Sequence, residues 1–232
     1  GEGHQVAGSR GGQGAGRARP VGVEGREGEQ RAEKTRATIG CFWDPGGPYA
    51  YLASGQLPGL AAGCGGTLAC RPLLLGGVFQ ATGNRPPATV VNKGRYMMAD
   101  LQHWAQFYGV PVTPPENFPA NSVRALRAAL VADELGCGDA FALAIMQAYW
   151  GQGRDISQPD VLADVARSVG FEPEQALAAN DRPEIKAKLK ANTEEAVTRG
   201  AFGAPSFFVD DVLFWGNDRL DLLRAHLTRA AA

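Results

Sequence analysis

The chain has 232 residues, of which 44% are hydrophobic and 20% charged, and its formal net charge is -1. This length and composition suit one globular domain, or one domain with a large insertion, that buries a sizeable core. The near-zero net charge makes no electrostatic case for nucleic acid or an anionic membrane as a partner, and no apolar run approaches the ~20 residues of a transmembrane helix.

Residues 1–36 are rich in glycine, arginine and glutamate and contain almost no large apolar side chains. Such a segment cannot bury enough surface to offset its conformational entropy, and it lacks the apolar core of a secretory signal. We expect a disordered tail, or a mis-assigned start of the chain. A nucleic-acid-binding arm is the functional alternative, but glutamates interrupt the arginines, whereas binding arms are usually blocks of like charge.

A β-loop-α-β pattern follows the tail. Ala37–Trp43 is apolar and rich in strand-forming residues, which predicts a strand that runs into an Asp-Pro-Gly-Gly loop. Pro48 suits the first position of a helix, because its missing N–H would be unpaired there anyway. The helix continues over Tyr49–Leu60, interrupted by Gly55 and Pro58 near its end, and Thr67–Leu75 is a second apolar run that predicts another strand.

The middle of the chain is predicted to be helical. Gly76–Thr89 is rich in glycine and proline, which is typical of a loop. Amphipathic patterns then predict successive helices, so that residues 94–191 form an all-helical insertion. The predicted helices are Tyr96–Tyr108, Ser122–Leu135, Asp139–Trp150, one that starts at Ser157 and ends near Gly170, Pro173–Ala179 and Pro183–Arg199.

A β-β-α pattern closes the chain. Ser206–Val209 and Val212–Trp215 are short strand-forming runs on either side of an Asp-Asp turn, and a helix follows with its first apolar residue at Leu220. Residues 37–93 and 192–232 are therefore interpreted as the two parts of one α/β domain with a thioredoxin-like fold, which the helical insertion divides.

Two features beside the last strands predict a binding site. Pro205 stands directly before a strand, where it cannot donate to a ladder, so the Ala204-Pro205 bond is a candidate cis bond that would turn the Ala204 backbone outward. Asn217 and Asp218 at a helix start offer a carboxylate beside free N–H groups, which suits the zwitterionic head of an amino acid. The alternative interpretation is an ordinary turn and helix N-cap.

The chain has four cysteines, Cys41, Cys64, Cys70 and Cys137, and none forms a Cys-x-x-Cys motif. No cysteine–histidine cluster has the spacing of zinc ligands, so we predict no metal site. We expect reduced thiols in a cytoplasmic protein. Cys64 and Cys70 are close enough in sequence to reach each other, but no feature of the sequence requires that bond.

Several motifs together resemble one family. Gly-Ala-Phe-Gly-Ala-Pro at 200–205 and Phe-Trp-Gly-Asn-Asp-Arg-Leu at 214–220 are similar to the C-terminal signature of 2-hydroxychromene-2-carboxylate isomerases and kappa-class glutathione transferases. Pro-Tyr-Ala-Tyr-Leu-Ala at 48–53, Gly-Asn-Arg-Pro-Pro at 83–87 and the stretch 98–111 resemble the same proteins. The resemblance extends from about Ile39 to Leu227. It implies a thioredoxin-like fold of the DsbA type that binds glutathione.

The resemblance also implies a cofactor site. Glutathione is a cofactor of the isomerases and a substrate of the transferases, and its two carboxylates require cations nearby. Arg85 is assigned to the substrate, while a solvated surface role is the alternative for both Arg85 and Lys93. The residues implied for glutathione are Asn84, Lys93, Ala204, Pro205, Asn217 and Asp218.

The catalytic motif departs from the family at one position. The relatives usually have Ser-Pro-Tyr or Ser-Pro-Phe where this chain has Gly47, Pro48 and Tyr49, and in them the serine hydroxyl hydrogen-bonds the glutathione sulfur. In place of that hydroxyl, Gly47 has its own backbone N–H to offer. DsbA-type oxidoreductases have Cys-Pro-x-Cys here, so dithiol exchange has no sulfur to use at this place. His103 is interpreted as a helix-surface histidine rather than a catalytic base.

Three functions compete. The first is a glutathione-dependent isomerase of aromatic hydrocarbon breakdown, which interconverts 2-hydroxychromene-2-carboxylate and trans-o-hydroxybenzylidenepyruvate through thiolate addition, bond rotation and elimination. The second is a kappa-like transferase or peroxidase that uses the same site. The third is a non-catalytic glutathione-binding protein, which Gly47 makes credible. We expect a homodimer whose other partners are glutathione and a small aromatic substrate.

Overall fold

Four short strands form one mixed sheet in the computed structural model, which describes residues 37–231. The strands are β1 (Thr38–Trp43), β2 (Thr67–Pro72), β3 (Ser206–Val209) and β4 (Val212–Trp215), in the spatial order β2-β1-β3-β4. β2 is parallel to β1, whereas β3 pairs antiparallel with both β1 and β4. The tail expected at residues 1–36 lies outside the described residues and stays a prediction.

The side chains of β1 alternate between two cores, as the two-residue period of a strand requires. Ile39, Cys41 and Trp43 belong to the larger core, which most of the helices cover. Phe42 belongs to a smaller core on the opposite face, where its ring packs edge-on against Phe208 at a centroid distance of 5.8 Å. Because both faces of the central strand are covered, its sequence is apolar at nearly every position.

The described chain between β2 and β3 contains only helices and the segments that connect them. This arrangement confirms the predicted thioredoxin-like fold with a helical insertion, while the boundaries at 94 and 191 stay predictions. No helix in residues 37–231 is both long and apolar enough to span a membrane. The α-helices are α1 (Pro48–Ser54), α2 (Leu57–Gly63), α3 (Leu75–Thr82), α4 (Val91–Tyr108), α5 (Val123–Glu134), α6 (Gly138–Met146), α7 (Pro159–Ser168), α8 (Pro173–Ala178), α9 (Pro183–Thr198) and α10 (Leu220–Ala231).

One helix occupies a segment that the sequence predicts to be a loop. The prediction for Gly76–Thr89 is wrong in its first half, because α3 covers those residues. Tertiary packing outweighs the poor helix propensity of the adjacent glycines. Val78 is fully buried in the smaller core, and Gly77 approaches α9 so closely that an added Cβ would lie 3.3 Å from Thr193 Cγ2.

Two other boundaries differ from the predicted ones. β2 ends at Pro72 rather than Leu75. The Leu73 N–H still donates to the Trp43 carbonyl at the end of β1 at 2.9 Å, whereas the Leu74 N–H donates to the Thr193 hydroxyl at 2.9 Å. α4 begins at Val91 rather than Tyr96, directly after a short 3-10 turn.

A π-helical turn at the end of α6 connects the helical region to the β1–α1 loop. Trp150 in this turn is fully buried, and its Nε1–H donates to the Pro45 carbonyl oxygen at 2.8 Å. The neighbouring Tyr149 hydroxyl accepts a hydrogen bond from the Ala120 N–H at 2.8 Å. The helical region thus supports the loop that precedes the first helix.

Candidate active site

One buried carboxylate holds the loop between β1 and α1. Asp44 is 2% exposed, and its two carboxylate oxygens accept hydrogen bonds from the Gly46 and Leu75 N–H groups, each at 2.8 Å. Its main-chain carbonyl accepts from the Gly47 N–H at 3.0 Å. Burial raises the pKa of Asp44, and the hydrogen bonds from Leu75 and Gly46 oppose that rise. Sequence analysis missed Asp44, because no local pattern shows that the chain buries it.

Gly47 ends this loop directly before α1, with φ -96° and ψ 114°. Any L-amino acid can adopt these angles, so the backbone does not require glycine. An added Cβ would lie 3.5 Å from the Asp44 carbonyl oxygen and 3.6 Å from the Ala204 carbonyl oxygen, which are ordinary contacts. Position 47 therefore has room for the serine of the family motif. Because the Gly47 N–H already donates to Asp44, the expectation that it is available to a ligand is wrong.

The Ala204-Pro205 peptide bond is cis, which confirms the prediction. The Pro205 carbonyl accepts a hydrogen bond from the Gly216 N–H at 3.0 Å, at the end of the β3–β4 hairpin. Within residues 37–231, neither the N–H nor the carbonyl of half-buried Ala204 forms a hydrogen bond. Ala204 therefore offers a donor and an acceptor beside Gly47, as an unpaired strand edge does.

Asn84 connects the loop after α3 to the segment before β3. Its Nδ2 donates to the Phe202 carbonyl oxygen at 2.8 Å, and its Oδ1 accepts from the Arg85 N–H at 2.8 Å. These bonds place Asn84 against a residue two positions before Ala204. Arg85 and Lys93 are both exposed, and neither forms an ion pair in the described part of the chain. Their assignment to substrate and cofactor stays a prediction.

Asn217 carries a buried side-chain amide that lacks a partner. The residue is 3% exposed, and its Nδ2 has no hydrogen-bond partner among residues 37–231. Leaving a buried donor unpaired costs about 1–3 kcal/mol, so such an atom requires an explanation. Asn217 lines a groove between α2, α4 and α10 together with Trp104, Tyr108 and Asp218. The Tyr108 hydroxyl donates to the Asn217 main-chain carbonyl at 3.3 Å.

Asp218 follows Asn217 on the protein surface. Its Oδ2 accepts a hydrogen bond from Arg219 Nη1 at 2.6 Å. Gly216 precedes both residues with φ +98°, and an added Cβ would lie 2.6 Å from Asp218 Oδ1, so glycine is required there. The N-cap interpretation is wrong: Asn217–Arg219 form a 3-10 turn before α10, and no side chain caps that turn.

Tyr49 uses its hydroxyl to attach α1 to α4. The hydroxyl donates to Asp100 Oδ2 at 2.8 Å, and burial together with this bond raises the pKa of Tyr49, so that the phenol stays protonated. The backbone N–H of Tyr49, in the first turn of α1, has no acceptor in the described residues.

The sequence did not indicate that Asp100, which lies in the 98–111 stretch, would accept this hydrogen bond from the Tyr49 hydroxyl. His103 is exposed on α4, as predicted.

The motifs and the fold agree with one family. A model of the DSBA-like thioredoxin domain matches residues 38–228. The chain therefore belongs to the DSBA-like thioredoxin domain family, which confirms the predicted membership. In residues 37–231, no group of three or more histidine, cysteine, aspartate or glutamate side chains is placed to hold a metal ion.

Similar proteins narrow the class further. The 2-hydroxychromene-2-carboxylate isomerase of Sphingobium xenophagum is 37% identical over 192 residues, which are 82% of this chain and 97% of that protein. Glutathione S-transferase kappa 1 of Homo sapiens is 31% identical over 205 residues, 82% of this chain and 90% of the relative. A solved structure of a 2-hydroxychromene-2-carboxylate isomerase has a TM-score of 0.76 at 28% identity and covers 83% of this chain and 95% of its own. The relatives support an enzyme of the isomerase or glutathione transferase type.

We predict that Asp44→Asn lowers the free energy of unfolding by about 1–3 kcal/mol at pH 7. Asparagine has a single side-chain oxygen, so it can accept from the Gly46 or the Leu75 N–H but not from both. Urea unfolding followed by tryptophan fluorescence measures the change. Asp211→Asn, on the exposed β3–β4 turn, is the control and should change stability by less than ~0.5 kcal/mol. Equal stability of Asp44→Asn and the wild type would contradict the role of the carboxylate.

The same carboxylate should make stability depend on pH. The pKa of Asp44 is raised in the folded state, so the folded chain binds this proton more tightly than the unfolded chain. The contribution of Asp44 to the free energy of unfolding is therefore largest in acid and falls as the pH rises between its unfolded and folded pKa values. The stability difference between wild type and Asp44→Asn should narrow across that window, and a widening difference would contradict the assignment.

Proposed function

We propose that the chain binds glutathione and acts as a glutathione-dependent isomerase that interconverts 2-hydroxychromene-2-carboxylate and trans-o-hydroxybenzylidenepyruvate. The observation that carries the proposal is the buried Asn217 amide, which lacks an acceptor in residues 37–231 and adjoins the Asp218 carboxylate. A donor beside an anionic acceptor complements the head group of an amino acid, which presents a carboxylate and an ammonium together. The kappa transferase relative supports glutathione as the ligand, and the isomerase relative supports the reaction.

Three parts of the chain would hold glutathione. The Asn217 amide would donate to the γ-glutamyl carboxylate, and the Asp218 carboxylate would accept from the ammonium, which would share or replace the contact with Arg219. The Ala204 N–H and carbonyl would pair with the cysteinyl backbone, in the way that a peptide adds to a sheet edge. Asn84, which attaches the loop after α3 to Phe202, and Lys93, exposed in the first turn of α4, would supply further polar contacts.

The site must also stabilise the thiolate of bound glutathione beside Gly47. When bound, glutathione supplies a thiolate that adds to a conjugated double bond, allows rotation and leaves. The start of α1 favours negative charge, because its backbone N–H groups point outward. Pro48 has no N–H and that of Gly47 donates to Asp44, so the Tyr49 backbone N–H is the donor that we assign to the sulfur. The exposed Arg85 is assigned to the carboxylate of the substrate.

A non-catalytic glutathione-binding protein is the second candidate, and Gly47 favours it. The residue supplies no hydroxyl, and its N–H is already engaged. A chain with the Ala204 and Asn217 contacts but a weakly acidic bound thiol would retain glutathione without fast turnover. A kappa-like transferase or peroxidase would use the same contacts with a different second substrate, and the human relative supports that possibility.

Two measurements test the proposal together. Calorimetry with glutathione measures binding, and the ultraviolet spectrum of the chromene substrate, with and without glutathione, measures isomerisation. The proposal expects both binding and a spectral change that requires glutathione. Binding without the spectral change would support the second candidate, and absence of binding would exclude both.

Replacement of Asp218 by asparagine should weaken glutathione binding about 10- to 150-fold, the equivalent of ~1.5–3 kcal/mol for a hydrogen bond to a charged group. The variant keeps the shape of the side chain but loses the charge that pairs with the ammonium. Calorimetric titration gives the dissociation constant. Asp221→Asn, in the first turn of α10 and on the same groove, is the control and should bind normally. An unchanged dissociation constant for Asp218→Asn would remove the γ-glutamyl assignment.

Gly47→Ser should lower the pKa of the bound glutathione thiol by about one unit or more, because a hydrogen bond to a charged group contributes ~1.5–3 kcal/mol and ~1.4 kcal/mol equals one unit. The negative φ and the contacts of an added Cβ allow the substitution. Ultraviolet titration of the thiolate gives the pKa, and the isomerase rate at neutral pH should rise with it. Gly47→Ala, which fills the same space without a hydroxyl, is the control. Equal thiol pKa values in the two variants would mean that another group already performs the role of the serine.

We also propose that the protein is a cytoplasmic homodimer. Tyr96 and Phe107, on the same side of α4, are 70% and 77% exposed, and a second copy would cover them. All four cysteines are free thiols, which supports a reducing compartment. Sedimentation equilibrium should give twice the mass of the chain, and a monomer at micromolar concentration would contradict the dimer.

A further inference from the structure

Two cysteines that take no part in the proposed glutathione site lie side by side in the sheet. Cys41 on β1 and Cys70 on β2 are register partners in the parallel pair. Adjacent strands are about 4.8 Å apart, which falls within the ~4.4–6.8 Å between the Cα atoms of disulfide-bonded cysteines. Register partners in parallel strands have their side chains on the same face of the sheet. The backbone therefore places the two Cα atoms at a separation that a disulfide allows, with both side chains on one face of the sheet.

Both thiols line one small apolar pocket beneath the first helices. The pocket lies between the sheet, α1, α2 and α6, and its other walls include Trp43, Leu57 and Met146. Cys41 is 3% exposed on the central strand, whereas Cys70 is partly exposed on the edge strand β2. A reagent from solvent can therefore reach Cys70 first, and Cys41 lies directly behind it.

The electrostatic surroundings assign different roles to the two thiols. The hydrogen bond to Cys70 and burial raise the pKa of Cys41, and Asp139, which also lines the pocket, adds to the rise. Cys41 is therefore mostly protonated in the reduced protein and is not the thiol that attacks the reagent first. Cys70, with more access to water, is the thiol that meets an incoming reagent.

The other two cysteines do not share this geometry. Cys64 follows the end of α2 and Cys137 precedes α6, so neither belongs to a strand of the sheet. The sequence leaves a Cys64–Cys70 bond open, but the register pairs Cys70 with Cys41 instead.

We propose that Cys41 and Cys70 form a redox-active dithiol that a low-molecular-weight disulfide, such as glutathione disulfide, oxidises to an intrachain disulfide. The Cys70 thiolate attacks one sulfur of the reagent, which forms a mixed disulfide and releases one thiolate. Cys41 then loses its proton to solvent and attacks Cys70 Sγ, which forms the Cys41–Cys70 bond and releases a second thiolate. The two protein thiols lose two electrons, and the reagent disulfide gains them as it becomes two thiols. The proposal does not depend on glutathione binding at Gly47.

The test treats the purified full-length chain with excess glutathione disulfide at pH 8. After removal of the reagent, thiols are counted in denaturant, and the intact mass is measured. In the wild type, Cys41 and Cys70 should lose their free thiols, the peptide that holds both should lose the mass of two hydrogens, and no glutathione should remain on Cys70; glutathione on the equally exposed Cys64 or Cys137 is counted separately. Chymotrypsin locates the bond, because the sequence between Cys41 and Cys70 contains no lysine or arginine for trypsin but has cleavable aromatic residues.

Single variants separate the two roles. Cys41→Ala should retain one glutathione on Cys70, because the second attack cannot occur. Cys70→Ser, a change on the partly exposed edge strand, should leave Cys41 unmodified. Cys64→Ser and Cys137→Ser are matched controls and should form the same bond as the wild type. Four remaining thiols in the wild type, a persistent glutathione adduct on its Cys70, or a Cys64–Cys70 bond would each overturn the proposal.

Discussion

The buried carboxylate of Asp44 is the constraint on which the candidate site depends. Its side chain holds Gly46 and the first residue of α3, and its carbonyl holds Gly47. Burial of a charge is unfavourable unless hydrogen bonds compensate, and here each carboxylate oxygen has a backbone donor. The Trp150 indole supports the same loop from the helical region through the Pro45 carbonyl. The loop before α1 is therefore fixed by its own Asp44 and by two distant parts of the chain, the start of α3 and the π-helical turn.

The sheet brings the second half of the site to this loop. β1 and β3 pair antiparallel, with Phe42 opposite Ser206, so the residues just before β3 meet the residues just after β1. This pairing places the Ala204 carbonyl beside Gly47. The β3–β4 hairpin then returns the chain to Asn217, whose buried amide has no acceptor among the described residues. The end of β1, the start of β3 and the end of β4 lie at the same end of the sheet, so the proposed glutathione site gathers there.

Local patterns predicted most elements but not the contacts between them. The strands at both ends, the cis proline and the helix that starts at Pro48 follow from composition, turn residues and the special chemistry of proline. The helix α3 did not, because its two glycines have poor helix propensity and only packing against α9 explains them. Secondary-structure boundaries shift for the same reason when a distant side chain, such as the Thr193 hydroxyl, captures a backbone N–H.

Sequence motifs predicted part of the site, whereas residues that depend on burial or on distant partners were missed. Gly47 and Ala204, which the motifs identify, do lie together. Three contacts were missed because their partners are 29 to 51 residues apart in sequence, and a single sequence does not show which distant residues meet or which are buried. They are the Asp44–Leu75 hydrogen bond, the Tyr49–Asp100 hydrogen bond and the Cys41–Cys70 pair. The N-cap interpretation of Asn217 and Asp218 was wrong because both residues lie inside a 3-10 turn that begins after Gly216 and has no side-chain cap.

The most direct test of the account is a crystal structure of the chain with bound glutathione. The account predicts the γ-glutamyl head at Asn217 and Asp218, the cysteinyl backbone paired with Ala204, and the sulfur beside Gly47 within hydrogen-bonding distance of the Tyr49 backbone N–H. Glutathione bound elsewhere on the chain, or the Asn217 amide still without an acceptor in the complex, would contradict it.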